Sequence, residues 1–289
     1  FLYFGVMAPY ASKYIPGNAE ADGNRESMLA LIETFRSYES KVRANSQSKA
    51  TRFHERGQLL PRERINLLLD PGRPYLELSS LAGLKMHDDD GADSAMGGGS
   101  IAGIGYVSGV RCLVVANDSA IKGGSISPMG LRKTLRAQEI ALENKLPVVS
   151  LVESGGANLE HQSEIFVDGG KIFCNMARLS AAGIPQVTVV HGSSTAGGAY
   201  LPGLSDYVVV VRNKAKIFLA GPPLLKAATG EVATDEELGG AHMHATVAGT
   251  AEYLAEDDAH GVQIARQIMS HLHWPDYQEP NDFAEPLYS

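Results

Sequence analysis

The chain has 289 residues, of which 44% are hydrophobic and 20% charged, and its formal net charge at pH 7 is −8. These values are typical of a globular protein with one large or two ordinary domains, and the negative charge argues against nucleic acid as a partner. With Cys112 and Cys174 as its only cysteines, the chain lacks a disulfide framework. We therefore expect a reducing compartment, the cytoplasm or, in a eukaryote, the mitochondrial matrix. No apolar run reaches the roughly 18 residues of a membrane helix, so we expect no membrane contact.

The first part of the chain predicts helices and then a loop. Residues 26–56 combine helical apolar spacing with abundant charge, which predicts one or two surface helices. Residues 87–99, "HDDDGADSAMGGG", predict a mobile loop or lid, whose acidic residues are either solvated or a metal site. We divide the chain into an N-terminal helical extension (1–56), a main domain (57–274) and a proline-containing linker (275–289) that leads towards a further domain.

From residue 101 onwards, apolar strands alternate with amphipathic segments at 130–145, 159–182 and 199–205. Strands that alternate with helices predict an α/β fold with a parallel sheet, in which ligands bind at the carboxyl ends of the strands. Three of the strands end in paired glycines, which are Gly123-Gly124, Gly155-Gly156 and Gly197-Gly198. We therefore expect the three turns to meet at one edge of the sheet.

Several chemistries are not supported by the motifs. Neither a dinucleotide fingerprint nor a P-loop is present, and Ser154 does not lie in the G-x-S-x-G pattern of a nucleophilic serine. A metal site remains an alternative, although histidines and acids at these spacings are commonly only hydrogen-bonded, and we predict no metal. The residues concerned are His242, His244, Asp257, Asp258 and His260.

Backbone N–H groups and basic side chains are the remaining candidates for a binding or catalytic site. A glycine turn between a strand and a helix is either a tight bend or a site where bare N–H groups hold an oxyanion. Arg132, Lys133 and Arg136 follow helical spacing, so two of them share one face of a helix. Together with Lys122, that face is either solvated or binds a phosphate.

Several long strings lie in order between about residues 57 and 272: "GQLLPRERINLLLDPGRPYLEL", "GIGYVSGVRCLVVANDSAIKGGS", "LRKTLRAQEIALEN", "LVESGGANL", "GSSTAGGAYLPGLSD" and "IFLAGPPLLKAATGEVATDEELGGAHMH". Together they resemble the carboxyltransferase (β) subunit of biotin-dependent acyl-CoA carboxylases. The strings "PRERI", "AGPPLLKAATGE" and "TAGGAY" are more similar to the methylcrotonyl-CoA or geranyl-CoA branch than to the propionyl-CoA branch. Where the family has "GANLPRQ", this chain has Glu160 and His161, so the acyl specificity is open.

The resemblance implies a crotonase-like ββα spiral, the N-terminal carboxyltransferase domain of the family. It implies an oxyanion hole for a thioester enolate, with Ala157 and Gly197 as the expected amide donors. The implied catalytic set is Gly155, Gly156, Ala157, Gly197 and Gly198. The implied coenzyme A-binding set is Lys122, Gly123, Gly124, Arg132, Lys133 and Arg136.

The resemblance also implies partners. Biotin would be carried by an α subunit with biotin carboxylase and biotin carrier parts, and the β subunits would form a homo-oligomer with a hexameric core. Two other functions remain open: another crotonase-like enzyme such as a hydratase or decarboxylase, or a non-catalytic CoA-binding subunit. A hydratase needs paired carboxylates, for which Glu160 and Glu164 are the candidates.

Overall fold

The computed structural model describes residues 13–86 and 94–274 and divides the chain into two units, 1–41 and 42–289. The helices predicted over residues 26–56 are confirmed as α1 (Ala19–Gln47) and α2 (Ala50–Glu55). The domain boundary after residue 56 stays a prediction, and in the structure Val42 and Phe53 are already buried within the larger unit. Most of the predicted acidic loop (87–93) and the predicted linker (275–289) lie outside the described residues.

The larger unit alternates strands and helices, as the sequence predicts. Its further helices are α3 (Pro61–Leu68), α4 (Pro128–Glu143), α5 (Gln162–Ala181), α6 (Tyr200–Gly203), α7 (Pro222–Thr229), α8 (Asp235–Gly239) and α9 (Asp258–His271). Its strands are β1 (Leu76–Leu78), β2 (Ser100–Val107), β3 (Val110–Asn117), β4 (Val148–Ser154), β5 (Gln186–Thr195), β6 (Tyr207–Val211), β7 (Lys216–Phe218) and β8 (Tyr253–Ala255).

The strands form one sheet in the order β1-β2-β3-β4-β5-β6-β8, with β7 paired to β5. The predicted parallel arrangement is confirmed from β3 to β8, whereas β1, β2 and β3 pair antiparallel. A crossover to a parallel strand needs a dozen or more residues, and only Ser108 and Gly109 connect β2 to β3. Both have positive φ, which suits a two-residue hairpin turn.

The two faces of the sheet are covered by different helices, because successive side chains of a strand point to opposite faces. On β4, Val149 packs in one core cluster with Ile65 of α3 and Val262 of α9. Val148 packs in another cluster with residues of α4 and α5. The sheet therefore has an α3–α9 face and an α4–α5 face.

Candidate functional site

A cavity of about 430 Å³ extends from the carboxyl ends of β3, β4 and β5 along the α4–α5 face of the sheet. Apolar side chains form most of its wall, with a few neutral polar groups such as Asn117 and Gln138. Among the described residues that line it, none is charged. The three glycine turns contribute Gly124, Gly155, Ala157, Ala196, Gly197 and Gly198 to this wall.

The three turns lie in direct contact, as the sequence predicts. The N–H of Gly155 donates a hydrogen bond to the carbonyl of Gly123 over 3.2 Å. A Cβ atom on Gly156 would lie 3.4 Å from the carbonyl oxygen of Thr195, just before the third turn. The prediction that the paired glycines meet at one edge of the sheet is therefore confirmed.

Two glycines of the predicted catalytic set, Gly155 and Gly156, have N–H groups that already have acceptors. Besides the bond from Gly155, the N–H of Gly156 donates to Ser154 Oγ over 3.1 Å. Gly155 and Gly156 therefore do not offer their N–H groups to a substrate, and their place in the predicted catalytic set is corrected to a structural one. The sequence could not show this, because the bonds depend on how the turns fold back on each other.

Ala157 differs from its neighbours. Ile126 accepts from the N–H of Asn158 and donates to the carbonyl of Gly156, so the N–H of Ala157 itself points away from Ile126. In the part of the chain that the structure describes, no acceptor contacts that N–H. A buried or half-buried amide without a partner is uncommon and favours a ligand. Ala157 also lines the cavity.

The third turn contains a strained backbone. Ala196 has φ 51°, in the left-handed region that a residue with a side chain rarely occupies. Gly197 and Gly198 follow it in a short 3₁₀ turn, Ala196–Ala199. N–H groups at the start of a helical turn lack partners within that turn, and Gly197 lines the cavity.

Ser154 is a structural hydroxyl. Its side chain is buried, and Oγ donates to the carbonyl of Gly124 over 2.9 Å while accepting from Gly156. It thereby ties the first glycine turn to the second. Among the described residues, no histidine is hydrogen-bonded to Ser154, so nothing activates it as a nucleophile.

The basic residues separate into different environments. Lys133 is only 4% exposed, and its Nζ donates to the carbonyls of Gly97 (3.2 Å) and Ser100 (2.7 Å). Burial lowers the pKa of this amine to about 8. Its prediction as a coenzyme A phosphate ligand is wrong, because the amine is directed into the protein. Arg136 is exposed but paired with Glu139 and Glu143.

Arg132 is exposed near the rim of the cavity. It follows Leu131, which lines the cavity, and it acts electrostatically on Asp168, the neighbour of cavity-lining Gly169. The pKa of Asp168 is lowered, chiefly by its bond with Lys171 and at longer range by Arg132. Lys122, with φ 45°, precedes the glycines of the first turn.

The glycine turn Gly97-Gly98-Gly99 is also part of the site, in a segment for which the sequence predicts a mobile loop or lid. All three residues have positive φ, and Gly98 and Gly99 line the cavity. Lys133 holds this turn through the Gly97 carbonyl. The signal was present in the sequence, since three glycines directly precede a strand.

The alternative acid and metal candidates lie elsewhere. Glu160 and Glu164 are exposed and do not line the cavity. His242 and His244 do not lie on a strand, because residues 243–247 form a turn of π-helix. Both ring nitrogens of His244 are hydrogen-bonded. In the described ranges no group of three or more possible ligands forms a metal site.

A family model and several known proteins match most of this chain. The carboxyl transferase domain model matches residues 52–288. A probable biotin-dependent acyl-coenzyme A carboxylase beta2 subunit of Mycobacterium tuberculosis is 48% identical over 98% of the chain and 51% of its own length. A probable mitochondrial methylcrotonoyl-CoA carboxylase beta chain of Drosophila melanogaster is 49% identical over 92% of the chain and 46% of its own length.

Solved structures show the same fold. The beta subunit of P. aeruginosa geranyl-CoA carboxylase superposes with a TM-score of 0.84 at 63% identity, over 92% of this chain and 49% of that one. The transcarboxylase 12S, described as a hexamer, superposes with a TM-score of 0.76 at 29% identity, over 84% of this chain and 48% of that one. The chain thus spans about half the length of these relatives.

Within the described residues, no helix has the length and apolar character needed to cross a bilayer. The predicted crotonase-like fold is confirmed, and the chain belongs to the carboxyl transferase domain family.

Proposed function

We propose that this chain is the acyl-CoA-binding part of a carboxyltransferase subunit that moves a carboxyl group from carboxybiotin to an acyl-CoA. One observation carries the proposal: Ala157, whose N–H has no acceptor among the described residues, lines a cavity in which none of the described lining residues is charged. Such a site stabilises an anionic thioester oxygen through fixed dipoles and supplies no acid or base of its own.

The residues have separate tasks in this reaction. Ala157 and Gly197 donate their N–H groups to the thioester oxygen, whose negative charge grows as the enolate forms, so the donors act most strongly on the transition state. The apolar wall around them excludes water and thereby strengthens both hydrogen bonds. Carboxybiotin, carried by a partner subunit, supplies the carboxyl group and, after its release, a basic ureido group. None of the described lining residues is charged, which is consistent with a substrate proton that is removed by biotin and not by a side chain of the cavity.

The acyl group is proposed to be apolar, branched and unsaturated. The wall of the cavity is mostly apolar, and the relatives named above act on methylcrotonoyl-CoA and geranyl-CoA. A conjugated chain also allows the negative charge to spread to a dienolate, so that the γ-carbon is carboxylated. We further propose a β-subunit oligomer with a biotin-carrying α partner, in the cytoplasm or the mitochondrial matrix.

The test uses the full-length subunit assembled with its biotin-carrying partner. We expect fixation of radiolabelled bicarbonate into geranyl-CoA or 3-methylcrotonyl-CoA, and we expect avidin to abolish it by sequestering biotin. Propionyl-CoA serves as the comparison substrate. Hydration or decarboxylation of the same thioesters, unaffected by avidin, would instead establish the alternative crotonase-like enzyme. Tight CoA binding without any turnover would indicate a non-catalytic subunit.

For coenzyme A, we propose that Lys122 and Arg132 contact the phosphates. We expect Arg132→Glu to weaken acyl-CoA binding by about 1–3 kcal/mol, the loss of a charge-assisted hydrogen bond. Arg136→Glu is the matched control, since Arg136 lies on the same helix, is also exposed and is already paired with two glutamates. Isothermal titration of geranyl-CoA measures both variants. Equal affinities for the two variants would remove Arg132 from the coenzyme A site.

A further inference from the structure

A buried cluster of charged residues lies on the α3–α9 face of the sheet, behind the glycine turns. Arg64 of α3 is 1% exposed, and its Nη1 donates to Glu153 Oε2 over 2.7 Å. Its Nε donates to Asp258 Oδ2 of α9 over 3.0 Å. Asp258 Oδ1 lies 2.8 Å from Nδ1 of the fully buried His191 on β5. One guanidinium therefore joins two helices to two neighbouring strands.

The protonation states suit a fixed ion cluster. Burial, and secondarily the nearby Arg64, lowers the pKa of His191, so its ring is neutral near pH 7. Burial alone would raise the pKa of Asp258, yet the hydrogen bond with His191 and the Arg64 charge hold that pKa below its usual value. Removing the cation from such a cluster leaves buried carboxylates without compensation, which is costly. Arg64 therefore holds the cluster together.

The cluster lies where the pairing of β4 with β5 is interrupted. Val152 pairs with Val190 and Ser154 with Ser194, so three residues of β5, 191–193, stand opposite Glu153 alone. Such a bulge shifts the register of the residues that follow it. The Glu153 carboxylate fills the bulge: a Cβ atom on Gly192 would lie 2.7 Å from Glu153 Oε1.

This bulge sets the offset between the two donor turns. On β4, Glu153 is followed within four residues by Ala157, and on β5 the bulge is followed within four residues by Gly197. Ser119 Oγ and Gln58 Nε2 also donate to the Glu153 carboxylate, at 2.8 and 3.2 Å. Together with Arg64, these groups give the Glu153 carboxylate three donors. A shift of about 1 Å between catalytic groups is enough to reduce a rate by about 100-fold.

We propose that Arg64 is a positioning residue for carboxyl transfer, which fixes the relative placement of the Ala157 and Gly197 N–H groups through Glu153 and the β5 bulge without touching the substrate. This inference rests on the proposed function, because it requires both N–H groups to act on the substrate. Arg64 lies on the opposite face of the sheet from the cavity, so it should affect the rate and leave acyl-CoA binding nearly unchanged.

The test measures kcat and acyl-CoA affinity separately in the full-length, assembled enzyme. We expect Arg64→Met to lower kcat per folded subunit about 10- to 100-fold, while the Kd of geranyl-CoA changes less than about threefold. Arg64→Lys keeps the charge but cannot contact both carboxylates with a planar fork, so an intermediate kcat is expected. Arg266→Met is the control: Arg266 is a partly buried arginine of the same α3–α9 face, bonded to Asp70 and the Leu68 carbonyl. It should lower stability and leave kcat per folded subunit unchanged.

The outcomes separate this inference from the function on which it rests. Wild-type enzyme without avidin-sensitive carboxylation would contradict the proposed function itself. Active wild-type enzyme with an unchanged kcat per folded subunit in Arg64→Met and Arg64→Lys would show that Arg64 only stabilises the fold. If Arg64→Met does not fold, Glu153→Gln decides, because it weakens the same contact and leaves the bond between Arg64 and Asp258 in place. An unchanged kcat in Glu153→Gln would equally overturn the proposal.

Discussion

Replacing Ala157 by proline should lower the turnover of the assembled enzyme about 10²–10³-fold, the usual cost of removing one oxyanion donor. Proline lacks the backbone N–H that the structure leaves without an acceptor among the described residues. The preceding residue is Gly156, which tolerates the restriction that proline imposes on its neighbour better than any other residue. Proline at Gly156 would be a less specific test of the oxyanion hole. The φ of Gly156 is +92°, which proline cannot adopt, and the Gly156 N–H already donates to Ser154 Oγ.

The measurement must separate catalysis from folding. We expect kcat in Ala157→Pro to fall far more than the affinity for geranyl-CoA, because the thioester oxygen gains its full charge only in the transition state. Ala157→Gly is the matched control, since it changes the side chain and keeps the N–H, and it should lose much less activity. Circular dichroism gives the folded fraction of each variant. Equal turnover per folded subunit in both variants would show that this turn is only a bend.

Much of the architecture could be predicted from the sequence because its signals are local. Apolar runs such as residues 146–152, followed by glycine pairs and amphipathic segments, are sufficient for a parallel sheet with crossover helices. The convergence of the glycine turns then follows from topology, since parallel strands end at the same edge. The antiparallel pairing of β2 with β3 was not predicted, although their two-residue connection is too short for a crossover and requires a hairpin.

The roles of individual side chains were less predictable, because they depend on contacts between distant parts of the chain. Helical spacing placed Lys133 beside Arg132 but could not show that its face packs against Gly97. Arg64 reaches Glu153 across 89 positions and Asp258 across 194, so no local pattern reveals the cluster. Likewise, only the folded turns show that Gly156 bonds Ser154 and that Ala157 does not.

The adjacent glycines of the first turn give a second test, because they share a backbone conformation and differ in their surroundings. Gly123 has φ +63° and Gly124 has φ +70°, so alanine at either position adopts a left-handed conformation that costs about 1–2 kcal/mol. A Cβ atom on Gly123 would meet nothing within 4 Å, whereas one on Gly124 would lie 2.2 Å from the backbone carbonyl oxygen of Glu153. We therefore expect Gly123→Ala to lower the free energy of unfolding by about 1–2 kcal/mol and Gly124→Ala by about 2–5 kcal/mol.

The difference between these two variants measures how tightly the first turn packs against the second. The Glu153 backbone carbonyl lies next to Gly124, while the Glu153 side chain belongs to the buried cluster and fills the β5 bulge. A Cβ atom at Gly124 must therefore displace either the first turn or Glu153, which precedes Ser154 and the turn that contains Ala157. We expect the folded fraction of Gly124→Ala to lose turnover as well, and Gly123→Ala to lose much less, since a Cβ atom on Gly123 meets nothing within 4 Å. Urea unfolding and turnover of the same preparations provide both values. Equal stabilities for the two variants would mean that the turns are loosely packed, and the precise spacing required of Ala157 and Gly197 would then have no structural basis.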